Sequence, residues 1–311
     1  MTRVLLMIGT RKGAFVAVTD EERQRWQLQG PFLKGAEVNY VAAVRDPGAE
    51  AGLALHACGK SEWWGPGIQV SRDLGQSWEE MAPVRFAADR GLTVERIWAL
   101  CDGADGELYA GVDPGALFVR ENSGWREVRS LTDHPTRDSW MPGAGGMMVH
   151  SICCDPADAQ RMYVGISAAG VFRTDDGGVS WTPKNKGVLA DFLPHHYPAV
   201  GQCVHHLEMH PGEPRILYQQ NHCGVYRSED AGDTWIDISA GLPSRFGFPI
   251  AVHPHDGDTI FVVPQESPDY RATVDGAFRI YRSHDRGDTW EALTRGLPQQ
   301  HAWVNVMRHA M

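Results

Sequence analysis

An eight-residue pattern recurs four times along the chain: SRDLGQSW from Ser71, TDDGGVSW from Thr174, SEDAGDTW from Ser228 and SHDRGDTW from Ser283. The shared form is Ser/Thr-x-Asp-x-Gly-x-Ser/Thr-Trp. Four copies of so constrained a pattern make this a repeat protein, and the spacing of the copies sets the size of the repeat. The motif tryptophans are Trp78, Trp181, Trp235 and Trp290, and the last two steps are 235 − 181 = 54 and 290 − 235 = 55 residues. The first step, 181 − 78 = 103, is a double one, and Trp125 stands inside it behind a worn copy, Glu121-Asn122-Ser123-Gly124. Trp26 lies 78 − 26 = 52 residues upstream without the motif.

A period of this length, with four short strands per repeat, predicts the blades of a β-propeller. Each repeat opens on a strand that ends in Asp/His-Pro, as in VHSICCDP (149–156) and VHHLEMHP (204–211). A short apolar strand follows, then one carrying Gly and aromatic or β-branched residues, as in GVFRTD and GVYRSE. The Asp motif makes the next turn and the Trp opens a fourth strand. No long helical period appears. The expectation is one all-β domain over residues 1–311.

The motif resembles that of the BNR or Asp-box propellers, a family that includes sialidases, the sortilin luminal domain, a photosystem II assembly factor and many bacterial proteins labelled glycosyl hydrolase. The resemblance implies that Asp73, Asp176, Asp230 and Asp285 cap a hairpin turn away from the active face. The chemistry agrees. A short Asp can bind its own turn's amides, Gly supplies positive φ, and Trp packs between blades. These aspartates are therefore read as structural, not as calcium ligands or acid catalysts. Six repeats end near Pro298, and HAWVNVMRHAM then reads as the first strand of another blade. The expectation is seven blades with the last incomplete, with six as the alternative.

The net charge of −10 with no offsetting basic run argues against a nucleic-acid partner. The N-terminal apolar run, LLMI and its neighbours, reads as a strand too short for a signal peptide, and nothing reads as a membrane span. The six cysteines show no paired metal spacing and read as reduced core residues, which points to the cytoplasm.

Function is sought where the repeats differ. With the first strands aligned on their Asp/His-Pro turns, Val41, Ile97, His150, His205 and Phe248 share one position. Two blades thus carry histidine where the others are apolar. Asn39 and Glu95 lie two residues further out, and Asn305 sits in a similar VNV context. Asn39, Glu95, His150, His205 and Asn305 are expected to ring one mouth of the central channel. Imidazole with carboxylate is both a divalent-metal set, zinc or similar, and an acid–base pair, so His150, His205 and Glu95 are the candidate catalytic and metal-binding residues. Loops on the same side add candidate binding residues: Arg11; Lys60, Trp63 and Trp64 in GKSEWWGPG; His222; and Glu266, Tyr270 and Arg271 in QESPDYRATVDG. Paired tryptophans in a Gly-rich loop cannot both be core, and one could stack on a sugar. Two long loops carry His134, Arg137, Trp140, His195, His196 and Tyr197.

The Phe/Tyr-Arg-Ile-Pro stretch of the family's sialidases is absent, so their catalytic residues do not carry over. Three readings follow. One is a hydrolase or lyase acting on a small molecule, with His150, His205 and Glu95 holding a metal or a water. Another is a non-catalytic propeller that binds a protein partner. The third is glycan binding or cleavage through Trp63 and Trp64.

Overall fold

A computed structural model describes residues 4–49, 51–61, 63–122, 124–143 and 146–311. Ser123 of the worn motif and Glu62 of the tryptophan loop lie outside the described residues. The chain divides into two compact units, Met1–Val128 and Arg129–Met311, and each builds three sheets. In the first unit these are β1 (Val4–Thr10), β2 (Gly13–Thr19) and β3 (Gln27–Phe32); β4 (Glu37–Arg45), β5 (Leu53–Ser61), β6 (Gly65–Ser71) and β7 (Glu79–Glu80); and β8 (Arg96–Asp102), β9 (Leu108–Asp113), β10 (Ala116–Glu121) and β11 (Gly124–Glu127). In the second they are β12 (Val149–Cys154), β13 (Met162–Ile166), β14 (Gly170–Thr174) and β15 (Thr182–Pro183); β16 (Val204–Met209), β17 (Leu217–Asn221), β18 (Gly224–Ser228) and β19 (Ile236–Asp237); and β20 (Gly247–His253), β21 (Asp256–Pro264), β22 (Ile280–Ser283) and β23 (Glu291–Leu293). Every sheet is an antiparallel meander in sequence order, as the repeat predicts.

Both faces of each middle strand are covered, so these strands read as near-continuous apolar runs. Tyr163, Val204, Leu207, Leu217 and Trp235 fill the space between the fourth and fifth sheets. Tyr218, Val225, Ile250, Ile260 and Val262 do the same between the fifth and sixth. In the first unit Ile68, Val70, Ile97, Ala110, Val112 and Phe118 belong to one cluster. Packing one sheet against the next is the main burial that the fold offers.

The four Asp motifs adopt one geometry. The opening hydroxyl donates to the Asp Oδ1 at 2.8, 2.7, 2.9 and 2.7 Å and accepts from the Gly amide at 2.7, 2.9, 2.8 and 2.7 Å. The second Ser/Thr donates its amide to Oδ1 and its hydroxyl to Oδ2. Those hydroxyls, from Ser77, Ser180 and Thr289, lead in holding Asp73, Asp176 and Asp285 down to about 2. The aspartates are therefore fully committed as ionised turn caps. Three of the tryptophans tie sheets together: the indole N–H of Trp125, Trp235 and Trp290 donates to Ala82 O, Lys184 O and Ile238 O, just past the last strand of the preceding sheet, whereas Trp78 donates to Gly75 O of its own turn.

The blade count corrects the expectation of a seventh. Six sheets are present among the described residues, and residues 301–311 form no strand. Their hydrogen bonds go instead to the long insert of the sixth sheet: Ala302 N donates to Gly276 O, Thr273 N to Val304 O, and Gln265 Nε2 to Val306 O. The backbone groups that a strand would have offered to a ladder are spent on that loop. No helix among the described residues is long and apolar enough to cross a membrane.

Thr174 is buried, and its hydroxyl is the acceptor for the Gly178 amide. Thr174→Val keeps the shape but strands that amide, and is expected to cost roughly 1–3 kcal/mol in a denaturant titration. A change within about 0.5 kcal/mol would mean the turn is not a stabilising element.

Candidate functional site

The residues that stood out by sequence share a backbone device. The ladders of β4, β8, β12 and β16 each skip one residue: between Val38 and Tyr40, Ile97 and Ala99, Val149 and Ser151, and Val204 and His206. The bulged residues are Asn39, Trp98, His150 and His205. A bulge re-aims its side chain, and here three of the four aim at the first strand of the next sheet. Asn39 Nδ2 donates to Ile97 O at 3.2 Å, His150 Nε2 lies 2.7 Å from Val204 O, and His205 Nδ1 lies 2.6 Å from Gly247 O. Asn39 is thus the equivalent of the two histidines, and Trp98, not Ile97 or Glu95, is their counterpart in the third sheet. The proline alignment missed this because β4 runs nine residues while β12 and β16 run six.

His150 and His205 are fully buried, and burial holds both imidazoles well below their ordinary range. His150 has a hydrogen-bond partner on each ring nitrogen, with Ser151 Oγ 3.2 Å from Nδ1. It sits as a neutral strut between sheets, which corrects its reading as a ligand or base exposed at a channel mouth. Asn305, also expected in that ring, is exposed and accepts from Gln265 Nε2 at 2.9 Å.

In the first unit Glu95 lies just before β8, is exposed, and pairs with Lys60 at 3.1 Å. Its amide donates to Asp113 O at 2.7 Å, which sets the two acidic residues side by side. Burial raises the Asp113 carboxyl, Arg96 and Lys60 pull it down, and Glu95 adds to the rise, with a net shift upward. Asp113 carries no sequence signal beyond its Asp-Pro at a hairpin.

On the other face of β5 from Glu95, a groove of 270 Å³ is lined by Lys34, Gly59, Trp64, Gln69 and Glu80 among others. Side chains alternate along β5, so Ser61 and the Gly59 backbone face the groove while Lys60 turns toward Glu95. Trp63 and Trp64 are 86% and 83% exposed, as the sequence required of them. Arg11 is exposed on the β1–β2 turn and is not among the residues lining the groove.

In the second unit His205 meets His222, with ring centroids 5.6 Å apart, and Cys203. Phe248 stacks on His205 at 4.6 Å, and the guanidinium groups of Arg271 and Arg308 lie 5.6 and 5.2 Å from the Phe248 ring. Arg308 is buried with Nε unpartnered and forms no ion pair with a carboxylate among the described residues. Arg308, Phe248 and Cys203 had no place in the expected site. Glu266 and Tyr270 are exposed in the insert, where Tyr270 packs against Trp303. The long loop before β12 is scaffold: His134 is buried, bonds Thr136 and Trp181 O, and packs with Trp140 on Phe172.

No family model matches the sequence. The chain is 25% identical over 235 residues to an oligoxyloglucan-reducing end-specific xyloglucanase of Emericella nidulans, covering 64% of this chain and 29% of that protein. It is 28% identical over 214 residues to a xyloglucanase of Acetivibrio thermocellus, covering 60% and 24%. The chain therefore spans about a quarter of the length of these curated relatives. Among solved structures, a GH74 enzyme of Niastella koreensis matches with a TM-score of 0.61 at 18% identity, over 93% of this chain and 43% of that one. An ancestral GH74 enzyme matches at 0.58 and 18%, over 85% and 32%. These likenesses show the fold: a β-propeller, here with six blades.

The neutral buried histidines make stability depend on pH. Their folded-state acidities lie below the unfolded value of about 6.5, so the unfolded chain takes up protons that the folded chain refuses. Stability is full above that value and falls as pH drops below it, by up to about 1.4 kcal/mol per pH unit for each such histidine. Thermal unfolding followed from pH 8 to pH 5 should show this loss, and His150→Gln should reduce the slope. A flat profile would show that these rings are not neutral struts.

Proposed function

We propose that the chain is a glycan-acting β-propeller of glycoside-hydrolase type, with its substrate held in the Trp64 groove. The observation that carries this reading is the groove itself: an exposed indole face beside a carboxylate (Glu80), an amide (Gln69) and an ammonium (Lys34). A sugar ring presents an apolar face of C–H groups and a rim of hydroxyls. The indole suits the first, and the polar groups suit the second. Xyloglucan oligosaccharides are the substrate class that the xyloglucanase relatives suggest.

Glu80 is the carboxylate that lines this groove and is the proposed acid–base group. The four aspartate turns support placing the repeats in the Asp-box class, with chemistry assigned away from them. The alternative is a propeller that binds without cleaving, and the adjacent Trp63 favours it, because two exposed indoles also suit a flat protein surface.

Binding and turnover of xyloglucan oligosaccharides separate these readings. Trp64→Ala is expected to weaken binding at least about tenfold. Glu80→Gln is expected to lower turnover by roughly 10²–10⁴-fold. Binding without turnover in the unmodified protein would establish the non-catalytic alternative, and no binding to any glycan tested would sink the proposal.

A further inference from the structure

The second unit holds a group of three metal-capable side chains that uses none of the proposed glycan groove. Cys203 Sγ and ring nitrogens of His205 and His222 lie within 4.8 Å of one another, the only such trio among the described residues. They come from separate places in one sheet. Cys203 precedes β16, His205 is the bulge residue of β16, and His222 is in the turn between β17 and β18. A backbone bond from His222 N to Cys203 O, 2.9 Å long, fixes the turn against the strand.

We infer that Cys203, His205 and His222 form a zinc-type metal site with an open coordination position. The donor set is one thiolate and two imidazoles, which suits zinc or cobalt and is unlike the all-oxygen sets of magnesium and calcium. Three protein ligands leave a fourth tetrahedral position for water or an anion. A second observation points the same way. His205 Nδ1 lies 2.6 Å from Gly247 O, a distance at which the N–H donates to the carbonyl and Nε2 keeps its lone pair. That is how metal-binding histidines are held: the outer nitrogen bonds a carbonyl or carboxylate and fixes the tautomer and the ring direction.

The surroundings suit the ligands. Phe248 stacks on His205, and Phe246 and Phe192 pack edge-on against His222, at 5.3 and 5.1 Å, so both rings have little rotational freedom. Asp191 Oδ1 lies 3.1 Å from the Cys223 thiol, next to the turn that carries His222. Arg308 is buried without a carboxylate, so an anion in the fourth position would have a guanidinium nearby.

The chelator-stripped full-length chain is titrated with Co²⁺ and then with Zn²⁺. The expected result is one equivalent of Co²⁺ bound, with a sulfur-to-metal charge-transfer band in the near ultraviolet that Zn²⁺ abolishes. Cys203→Ser should remove the band, His222→Ala should weaken Co²⁺ binding at least about tenfold, and Cys153→Ser should change neither. Circular dichroism and thermal unfolding identify which variants fold. The absence of a band in the unmodified chain overturns the inference whatever the variants do, and so does a band that survives in Cys203→Ser. Because the readout is spectroscopic and uses only second-unit residues, its failure and the failure of the glycan reading are distinguishable.

Discussion

The architecture depends on one recurring contact: a side-chain donor on one sheet reaching a backbone carbonyl on the next. A narrow meander has an edge strand on each side, and an unsatisfied edge invites mispairing. Within each unit the bulge on the first strand interrupts the edge and turns a polar side chain toward the neighbouring sheet, as with Asn39 to Ile97 O, His150 to Val204 O and His205 to Gly247 O. The other end of the sheets has its own set. Arg173 and Arg227 each donate Nη1 at 2.8 Å to the carbonyl of the fourth motif residue in the next blade, Ala231 and Arg286. The motif tryptophans Trp235 and Trp290 point the opposite way, toward the preceding sheet. Buried carbonyls need donors, and a fold made of repeats needs the same donor once per repeat.

This explains which parts of the structure were legible in the sequence. The turn motif carries its geometry in local spacing, because Ser/Thr, Asp and Gly bond within eight residues, so period and strand order could be read directly. The bulge contacts join residues 42 to 58 apart in sequence and require only a donor of suitable reach. Asn and His both serve, so the position shows no fixed residue type. Two histidines standing out from apolar neighbours therefore read alike in the sequence, although His150 has both ring nitrogens bonded and His205 lies against Cys203 and His222. The seventh blade failed for a related reason. Residues 301–311 have the composition of a strand, but the insert of the sixth sheet offers Gln265, Thr273 and Gly276 as partners, and nothing local announces that competition.

The candidate chemistry was legible only in fragments. Trp63 and Trp64 could be placed on the surface because a Gly-rich loop cannot bury both. Glu95 was singled out by strand alignment and lies exposed just before β8, where its bond to Lys60 joins residues 35 apart that no local pattern links. Cys203 was read as core because its partner His222 is 19 residues away across a hairpin, outside any local ligand spacing.

The comparison of His150 with His205 shows how a structural position can acquire chemistry. Both occupy the same bulge, both are buried, and both bond a carbonyl of the next sheet. They differ in which nitrogen makes that bond. His150 uses Nε2 and turns Nδ1 back to Ser151, so both nitrogens are occupied. His205 uses Nδ1, which leaves Nε2 its lone pair, and the ring lies against Cys203 and His222. The strut is preserved in both sheets, and only the second ring retains a lone pair that can bind an ion. A flip of one imidazole separates a scaffold histidine from a ligand, and the residues already in place around the fifth sheet determine which one it is.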